Sequence, residues 1–160
     1  MTAPAIVVLT EEALSAADAQ RLTALHADES VRYRVLVPAD VARNLLADVL
    51  DHLSLFQLRE AWEAARGEEE PTRAGAAVAL KQSVAALIAA GVPADGVVIE
   101  HDPVAELQKE VAADGETQEV IVVTRPQLVE DTFHRDWASR AREVLGVPVL
   151  HVYAGSSFLG

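Results

Sequence analysis

Glu119-Val120-Ile121-Val122-Val123-Thr124-Arg125-Pro126 is the stretch that decides the fold of this chain. Val120–Val123 is a short β-branched run between polar residues, which is typical of a parallel strand covered on both faces. Pro126 has no amide hydrogen and restricts the preceding Arg125 to extended geometry, so the strand must end there. The stretch therefore predicts a buried strand with an abrupt carboxyl end.

The residues that follow predict a helix and a second strand. Five apolar residues fall four positions apart, which indicates one face of an amphipathic helix: Val129, Phe133, Trp137, Ala141 and Leu145. Gly146 is a typical helix stop, and Pro148 opens another apolar strand that runs to Tyr153. The two stretches together form a strand-helix-strand unit.

The same alternation continues back to the amino terminus. Apolar runs predict strands at 6–9, 31–37 and 96–100, and apolar periodicity predicts helices at 11–27, 41–66, 74–90 and 104–112. Thr10 and Asp40 are predicted to cap the first two helices, and Asp102 followed by Pro103 is a favourable start for the fourth. The polar residues 67–71 predict an exposed turn, or a break within one long helical arm, rather than a domain boundary. The element order is βαβααβαβαβ.

This order predicts an α/β protein with a doubly wound parallel sheet and helices on both faces. Right-handed crossovers leave few arrangements, of which a flavodoxin-like or nucleotide-binding sheet is the simplest. At 160 residues, the chain is expected to form one domain, 1–160.

Composition excludes several functional classes. With 13 Lys and Arg against 25 Asp and Glu, the formal charge is −12, which repels nucleic acid and anionic lipid. No apolar run approaches the roughly 18 residues of a membrane helix, and Met1–Ile6 lacks a signal-peptide pattern. The chain contains no cysteine, so disulfides, thiol nucleophiles and thiolate metal sites are excluded. A cytoplasmic location is the expectation.

Residues 74–153 resemble the universal stress protein family. The likeness is carried by Gly96–Pro103, an apolar strand followed by an Asp-Pro helix start, and by Glu119–Val123, similar to the fourth strand of that family. It is also carried by the helix that runs into Gly-Val-Pro-Val-Leu-His-Val at 146–152. The resemblance implies a five-stranded parallel sheet in the order 3-2-1-4-5 and a role in stress response.

The sequence departs from this family where its ATP-binding members hold phosphate. Those members carry Gly-x-x-Gly after the fourth strand and Gly-Ser or Gly-Thr about nine residues later, because glycines let backbone amides approach the phosphates. Here Thr124 takes the place of the first glycine, Pro126 removes a donor, and Arg135-Asp136 fills the Gly-Ser position. Leu9-Thr10 replaces the usual acid after the first strand, with Glu11 as an imperfect substitute. ATP is therefore disfavoured as a cofactor.

Another ligand is expected to use the crevice between strands one and four, the switch point of this strand order. Arg125 is the most suggestive residue there, since an arginine at the carboxyl end of a strand can hold a small anion bidentately. Pairing of Arg125 with Glu11, Asp131 or Asp136 is the simpler alternative. The residues predicted at or near the crevice are Thr10, Glu11, Asp40, His101, Asp102, Thr124, Arg125 and Arg135.

The last strand, 149–153, is predicted to lie at a sheet edge. An uncovered apolar edge is an aggregation hazard, and stress-protein relatives commonly dimerise through this strand. The resemblance therefore implies a two-fold homodimer with His151, Tyr153 and the tail 156–159 in the contact. A neighbour within the same chain is the alternative partner for His151.

These patterns favour a non-catalytic binding or regulatory domain. One alternative is atypical ATP or AMP binding by Arg125 and Arg135, and another is an enzyme of the related adenylate-transfer architecture with His101 as base. No Walker loop, Gly-x-Gly-x-x-Gly or Gly-x-Ser-x-Gly occurs. Asp48 and His52 would share a helical face, but the third ligand of a metal site is missing.

Overall fold

The computed structural model describes residues 3–39, 70–124 and 132–155, with side chains at 3–39, 75–124 and 137–155. The helix predicted at 41–66 lies outside these residues. The described strands are β1 Ala5–Thr10, β2 Arg32–Pro38, β3 Ala94–Ile99, β4 Thr117–Thr124 and β5 Val149–Tyr153. The described helices are α1 Ala16–Ala24, α2 Glu70–Ala89, α3 Pro103–Ala113 and α4 Thr132–Val144.

The five strands form one parallel sheet in the order β3-β2-β1-β4-β5, which confirms the predicted fold class. The register is continuous through the centre of the sheet, where Leu9 pairs with Leu36 on one side and with Val122 on the other. Val122 pairs in turn with His151 of β5. Strands β3 and β5 are therefore the two edges, as predicted for β5.

Strand alternation creates two apolar layers, one on each face of the sheet. Ile6 and Val8 of β1 belong to the cluster that contains Leu22 of α1 and Leu87 of α2. The neighbouring residues of β1 belong to the cluster on the other face, built from α3, α4 and the strands: Val7, Leu9, Val104, Leu107, Trp137, Ala141 and Leu145. Every residue of β1 is buried, as expected for the middle strand of a sheet covered on both faces. No helix in the described ranges is long and apolar enough to span a bilayer.

The start of α1 differs from the prediction. Thr10 is the last residue of β1 and does not cap a helix at Glu11; the cap is Ser15. Ser15 Oγ accepts from the amide of Asp18, and the Asp18 carboxylate accepts from the amide of Ser15, which is a capping box. Because this reciprocal pair satisfies two amides at once, it outcompetes the single hydroxyl of Thr10.

Helix α2 also begins earlier than predicted. It starts at Glu70, so Pro71, which was assigned to an exposed turn, lies in the first helical turn, where proline is well tolerated. Its end is confirmed: Gly91 has φ +98°, and the amides of Gly91 and Val92 donate to Ile88 and Leu87 at 3.0 and 3.3 Å. This is a Schellman motif.

The predicted bounds of α3, to within one residue, and the predicted end of α4 agree with the structure. Asp102 accepts from the amide of Ala105 at 3.3 Å, with Pro103 as the first residue of α3. Trp137, Ala141 and Leu145 are buried on one stripe, and Gly146 has φ +68° where α4 ends. The side chains of Val129 and Phe133, the first two members of the predicted stripe, lie outside the described residues.

Candidate functional site

The switch point of the sheet lies between β1 and β4, and each strand ends there with a buried threonine. Thr10 pairs with Val123, so Thr10 and Thr124 reach the same edge of the sheet. Their side chains point to opposite faces, since Thr10 alternates with Leu9 and Thr124 alternates with Val123. Thr10 is 0% exposed and Thr124 is 1% exposed. The sequence placed both residues correctly at this edge but did not separate their faces.

Glu11 continues directly from Thr10 and is also buried, at 4% exposure. Its amide donates to the carbonyl of Val123 at 3.4 Å, which extends the contact between β1 and β4 beyond the strands. The hydroxyl of Thr10 donates to the carbonyl of Glu12 at 2.7 Å and turns the chain away from the sheet. A buried acidic residue therefore directly follows β1 at this edge of the sheet.

Three described amides around this edge donate to acceptors within the chain. Leu14 donates to Ser83 Oγ at 2.9 Å, and Ala39 donates to the carbonyl of Ile99 at 2.9 Å. After β5, Ala154 donates to the carbonyl of Thr124 at 2.8 Å. A phosphate site needs amides that point at the ligand, and these amides point at protein acceptors instead.

The carboxylate of Asp18 in α1 accepts hydrogen bonds from three other donors. Its carboxylate accepts from the amide of Ser15 at 3.1 Å, from the amide of Gly155 at 2.8 Å and from the guanidinium of Arg21. Burial by itself would raise the pKa of Asp18, but these hydrogen bonds and the charge of Arg21 lower it below the ordinary 3.8. Sequence reasoning missed Asp18, although Ser15-Ala-Ala-Asp18 matches the spacing of a capping box.

On the α3–α4 face of the same edge, Thr124 contacts His151. Thr124 Oγ1 lies 2.7 Å from His151 Nε2, and the His151 ring lies 4.9 Å from that of Tyr153 at a tilt of 55°. His151 is 4% exposed. Of the two partners predicted for His151, the neighbour within the chain is the one observed.

His101 and Asp102 lie at the end of β3, which is two strands from β1, about 10 Å at the usual strand spacing. Both residues are exposed. The Asp102 carboxylate caps α3 and accepts from Arg140 of α4 at 2.8 Å. This pair therefore follows β3, whereas Thr10 and Thr124 lie at the ends of β1 and β4.

Three of the predicted site residues cannot be placed among the described side chains. Asp40 and Arg125 lie outside the described residues, and Arg135 lies in α4 with its side chain outside them. Asp48 and His52 also lie outside. In the described ranges, no three His, Asp or Glu side chains are grouped as metal ligands.

A second polar cluster lies at the opposite, amino-terminal edge of the sheet. His26 Nε2 lies 2.7 Å from Glu119 Oε2, and Nδ1 lies 3.7 Å from Glu29 Oε1. Burial and the charges of Glu119 and Glu29 raise the pKa of Tyr33 to about 12, and its hydroxyl donates to the carbonyl of Leu22. The two carboxylates face opposite ring nitrogens of His26, so they do not converge on a common ligand position.

Comparison with known proteins gives a match in structure and none in sequence. No protein-family model and no curated protein matches the chain. A universal stress protein from Archaeoglobus fulgidus superposes with a TM-score of 0.58 and 16% identity over 96% of this chain and 94% of that one. A universal stress protein family protein from Arabidopsis thaliana with AMP bound superposes with a TM-score of 0.54 and 13% identity over the same shares. The chain therefore has the universal stress protein fold.

Proposed function

We propose that this universal-stress-protein-like chain is a non-catalytic binding or regulatory domain that lacks a conventional ATP cradle. The observation that supports this function is that polar groups at the carboxyl edge between β1 and β4 are bound within the protein. The amides of Leu14, Ala154 and Gly155 donate to protein acceptors, and Glu11 and Asp18 are buried acidic residues.

Electrostatics argues in the same direction. A carboxylate about 6 Å from a phosphate charge costs about 3 kcal/mol at an effective dielectric constant near 20. The formal charge of −12 over the whole chain adds to this repulsion.

The burial and the hydrogen bonds of the candidate catalytic side chains support a non-catalytic role. Thr124 and His151 contact one another but are both buried, and a nucleophile must reach its substrate. Asp102, the neighbour of the proposed base His101, is bound to Arg140 and to the start of α3. The adenylate-transfer alternative therefore gains no support from the described residues.

The proposed assembly is a homodimer through the exposed edge of β5. The imidazole of His151 faces the interior of its own chain, so the contact would be made by the outward backbone of β5 and by Tyr153, which is only partly buried. Such an assembly would cover the edge that the sheet leaves open. The cytoplasmic location stays a prediction.

A nucleotide with fewer phosphates is the second candidate ligand. It is favoured by the structural neighbour from Arabidopsis thaliana, which carries AMP. In this chain Arg125 and Arg135 would have to supply the cations for such a ligand, in place of glycine amides.

Thermal unfolding with ATP, ADP or AMP at millimolar concentration tests these proposals. We expect no increase in Tm with ATP, and no nucleotide released when the purified protein is denatured. Stoichiometric ATP recovered from the folded protein would overturn the proposed function. An increase with AMP alone, abolished in Arg125→Ala or Arg135→Ala, would establish the second candidate instead.

A further inference from the structure

We propose that Asp18 is a latch that fixes the carboxyl end of the edge strand β5 and thereby keeps the Thr124–His151 pair closed. The turn after β5, Tyr153–Gly155, is called the strap below. The inference rests on the proposed function, because it makes the strap the element that controls access to the candidate binding edge.

The strap is attached at two points. Ala154 donates to the carbonyl of Thr124 at 2.8 Å, which continues the β4–β5 pairing by one residue. Gly155, at φ +73°, turns the chain and donates to Asp18 Oδ1 at 2.8 Å. The second attachment joins the end of β5 to α1, an element of a different layer.

An edge strand depends on such an attachment more than a central strand does. Among the strands that the structure describes, β5 pairs with β4 alone, whereas β1 and β4 each pair on both sides. Val152 and Ala154 pack into the layer beneath α1, so release of Gly155 would also loosen these apolar contacts. Strand ends with few contacts open at low free energy.

The latch is itself held rigidly. The Asp18 side chain is 9% exposed, and its carboxylate also accepts from Ser15 and Arg21. Charge-assisted hydrogen bonds of this kind are roughly twice as strong as neutral ones. The positive charge of Arg21 beside the carboxylate favours the ionised, latched form.

Opening of the strap would expose the end of β5, and His151 lies two residues before it. Modification of histidines by diethylpyrocarbonate, followed by mass spectrometry, measures that exposure in the full chain. We compare wild type, Asp18→Ala and the control Asp114→Ala. Asp114 also binds one guanidinium, that of Arg32, and one amide, that of Glu116, but it lies beyond the opposite edge of the sheet.

In Asp18→Ala, we expect His151 to react about tenfold faster, since the latch bond holds the strap closed. In Asp114→Ala, His151 should react as in wild type. The exposed His101 provides an internal standard that reacts alike in all three proteins. Equal protection of His151 in wild type and Asp18→Ala would overturn the latch.

If Asp18→Ala does not fold, wild-type protein gives the answer by NMR. The amide of Gly155 should shift together with the protonation of the Asp18 carboxyl, and its protection against hydrogen exchange, relative to the intrinsic rate at each pH, should fall over the same range. A Gly155 amide that ignores this titration would overturn the proposal. Nucleotide binding by wild type would overturn the proposed function but would leave the latch untouched. Failure of the proposed function and failure of the latch are therefore distinguishable.

Discussion

Thr124 Oγ1 and His151 Nε2 lie 2.7 Å apart inside the chain, at the carboxyl ends of two neighbouring strands. Their strands are in register, with Thr124 opposite Tyr153 and His151 opposite Val122, so the contact runs diagonally across the pair. A histidine in a short edge strand is thereby bound to its own sheet. The contact also places two polar groups where the sheet would otherwise be apolar.

Loss of the threonine hydroxyl should destabilise the fold. Thr124→Val preserves the shape of the side chain but removes a polar contact of a buried imidazole, so we expect the free energy of unfolding to fall by about 1–3 kcal/mol. Urea unfolding measures the change. Thr23→Val is the control, because the Thr23 hydroxyl donates to Gln20 in an exposed turn of α1 and should matter by less than about 0.5 kcal/mol. Equal effects of the two variants would contradict the prediction.

Gly96→Ala should be poorly tolerated. A Cβ at Gly96 would meet the carbonyl oxygen of Val35 at 2.3 Å and Leu80 Cδ1 at 2.5 Å, so β2 or α2 must move. Overpacking of this kind costs about 1–3 kcal/mol. Gly115→Ala is the matched control, because nothing lies within 4 Å of its added Cβ. Thermal unfolding should therefore separate the two variants, and a Gly96→Ala protein as stable as Gly115→Ala would refute the close approach.

Stability should decline in acid through Asp18 and Asp114. The hydrogen bond from Arg32 is the main cause that lowers the pKa of Asp114. Burial raises the pKa of Asp18, but the hydrogen bonds from Gly155 and Ser15 and the charge of Arg21 lower it overall. A carboxyl with a lowered folded pKa stabilises the protein above its ordinary value of 3.8, and this contribution is lost as the pH falls through the folded value.

Urea midpoints between about pH 6 and about pH 2 measure this loss. Asp18→Asn and Asp114→Asn should each flatten the decline, because each variant removes one of the carboxyls that titrate differently in the folded and unfolded states. A decline of unchanged steepness in both variants would assign acid sensitivity to other groups.

The proposed dimer makes a prediction about the two sides of β5. The carbonyl of Pro148 accepts from Val120 of β4, and the amide of Ala154 donates to Thr124 of β4. Because amides alternate in direction along a strand, those of Leu150 and Val152 also face β4. The amides of His151 and Tyr153 therefore face outward. Tyr153→Pro should therefore shift the protein from dimer to monomer in sedimentation at micromolar concentration while the fold persists. Val152→Pro should unfold it, because that amide belongs to the sheet. A wild-type protein that sediments as a monomer would dispose of the proposal.

Much of the fold was predictable because local signals and burial agree. The run Val120–Val123, the stop at Gly91 and the Asp102-Pro103 helix start each act within a few residues, and each is confirmed. The start of α1 was predicted wrongly because Thr10 and Ser15 are both plausible caps. Their competition is decided by Asp18, whose carboxylate also binds Gly155, far along the chain.

The candidate site was less predictable than the fold. The carboxyl edge itself follows from strand order, so Thr10, Glu11 and Thr124 could be assigned to it. The acceptors of the amides at this edge could not be predicted from the sequence, because each bond joins residues far apart in the chain. Examples are Leu14 with Ser83 and Gly155 with Asp18.

The sequence by itself determined the alternation of strands and helices and the absence of the family's glycine pattern after the fourth strand, because periodicity, proline and glycine act through local backbone geometry. The strand order was implied by the resemblance to universal stress proteins. Only the tertiary structure decided that Asp18 binds the strap, that His151 contacts Thr124 and that His101 lies apart from the switch point. These relationships depend on which strands and helices become neighbours in space, and hydrogen-bond partners far apart in the chain are selected only when the two layers close on the sheet.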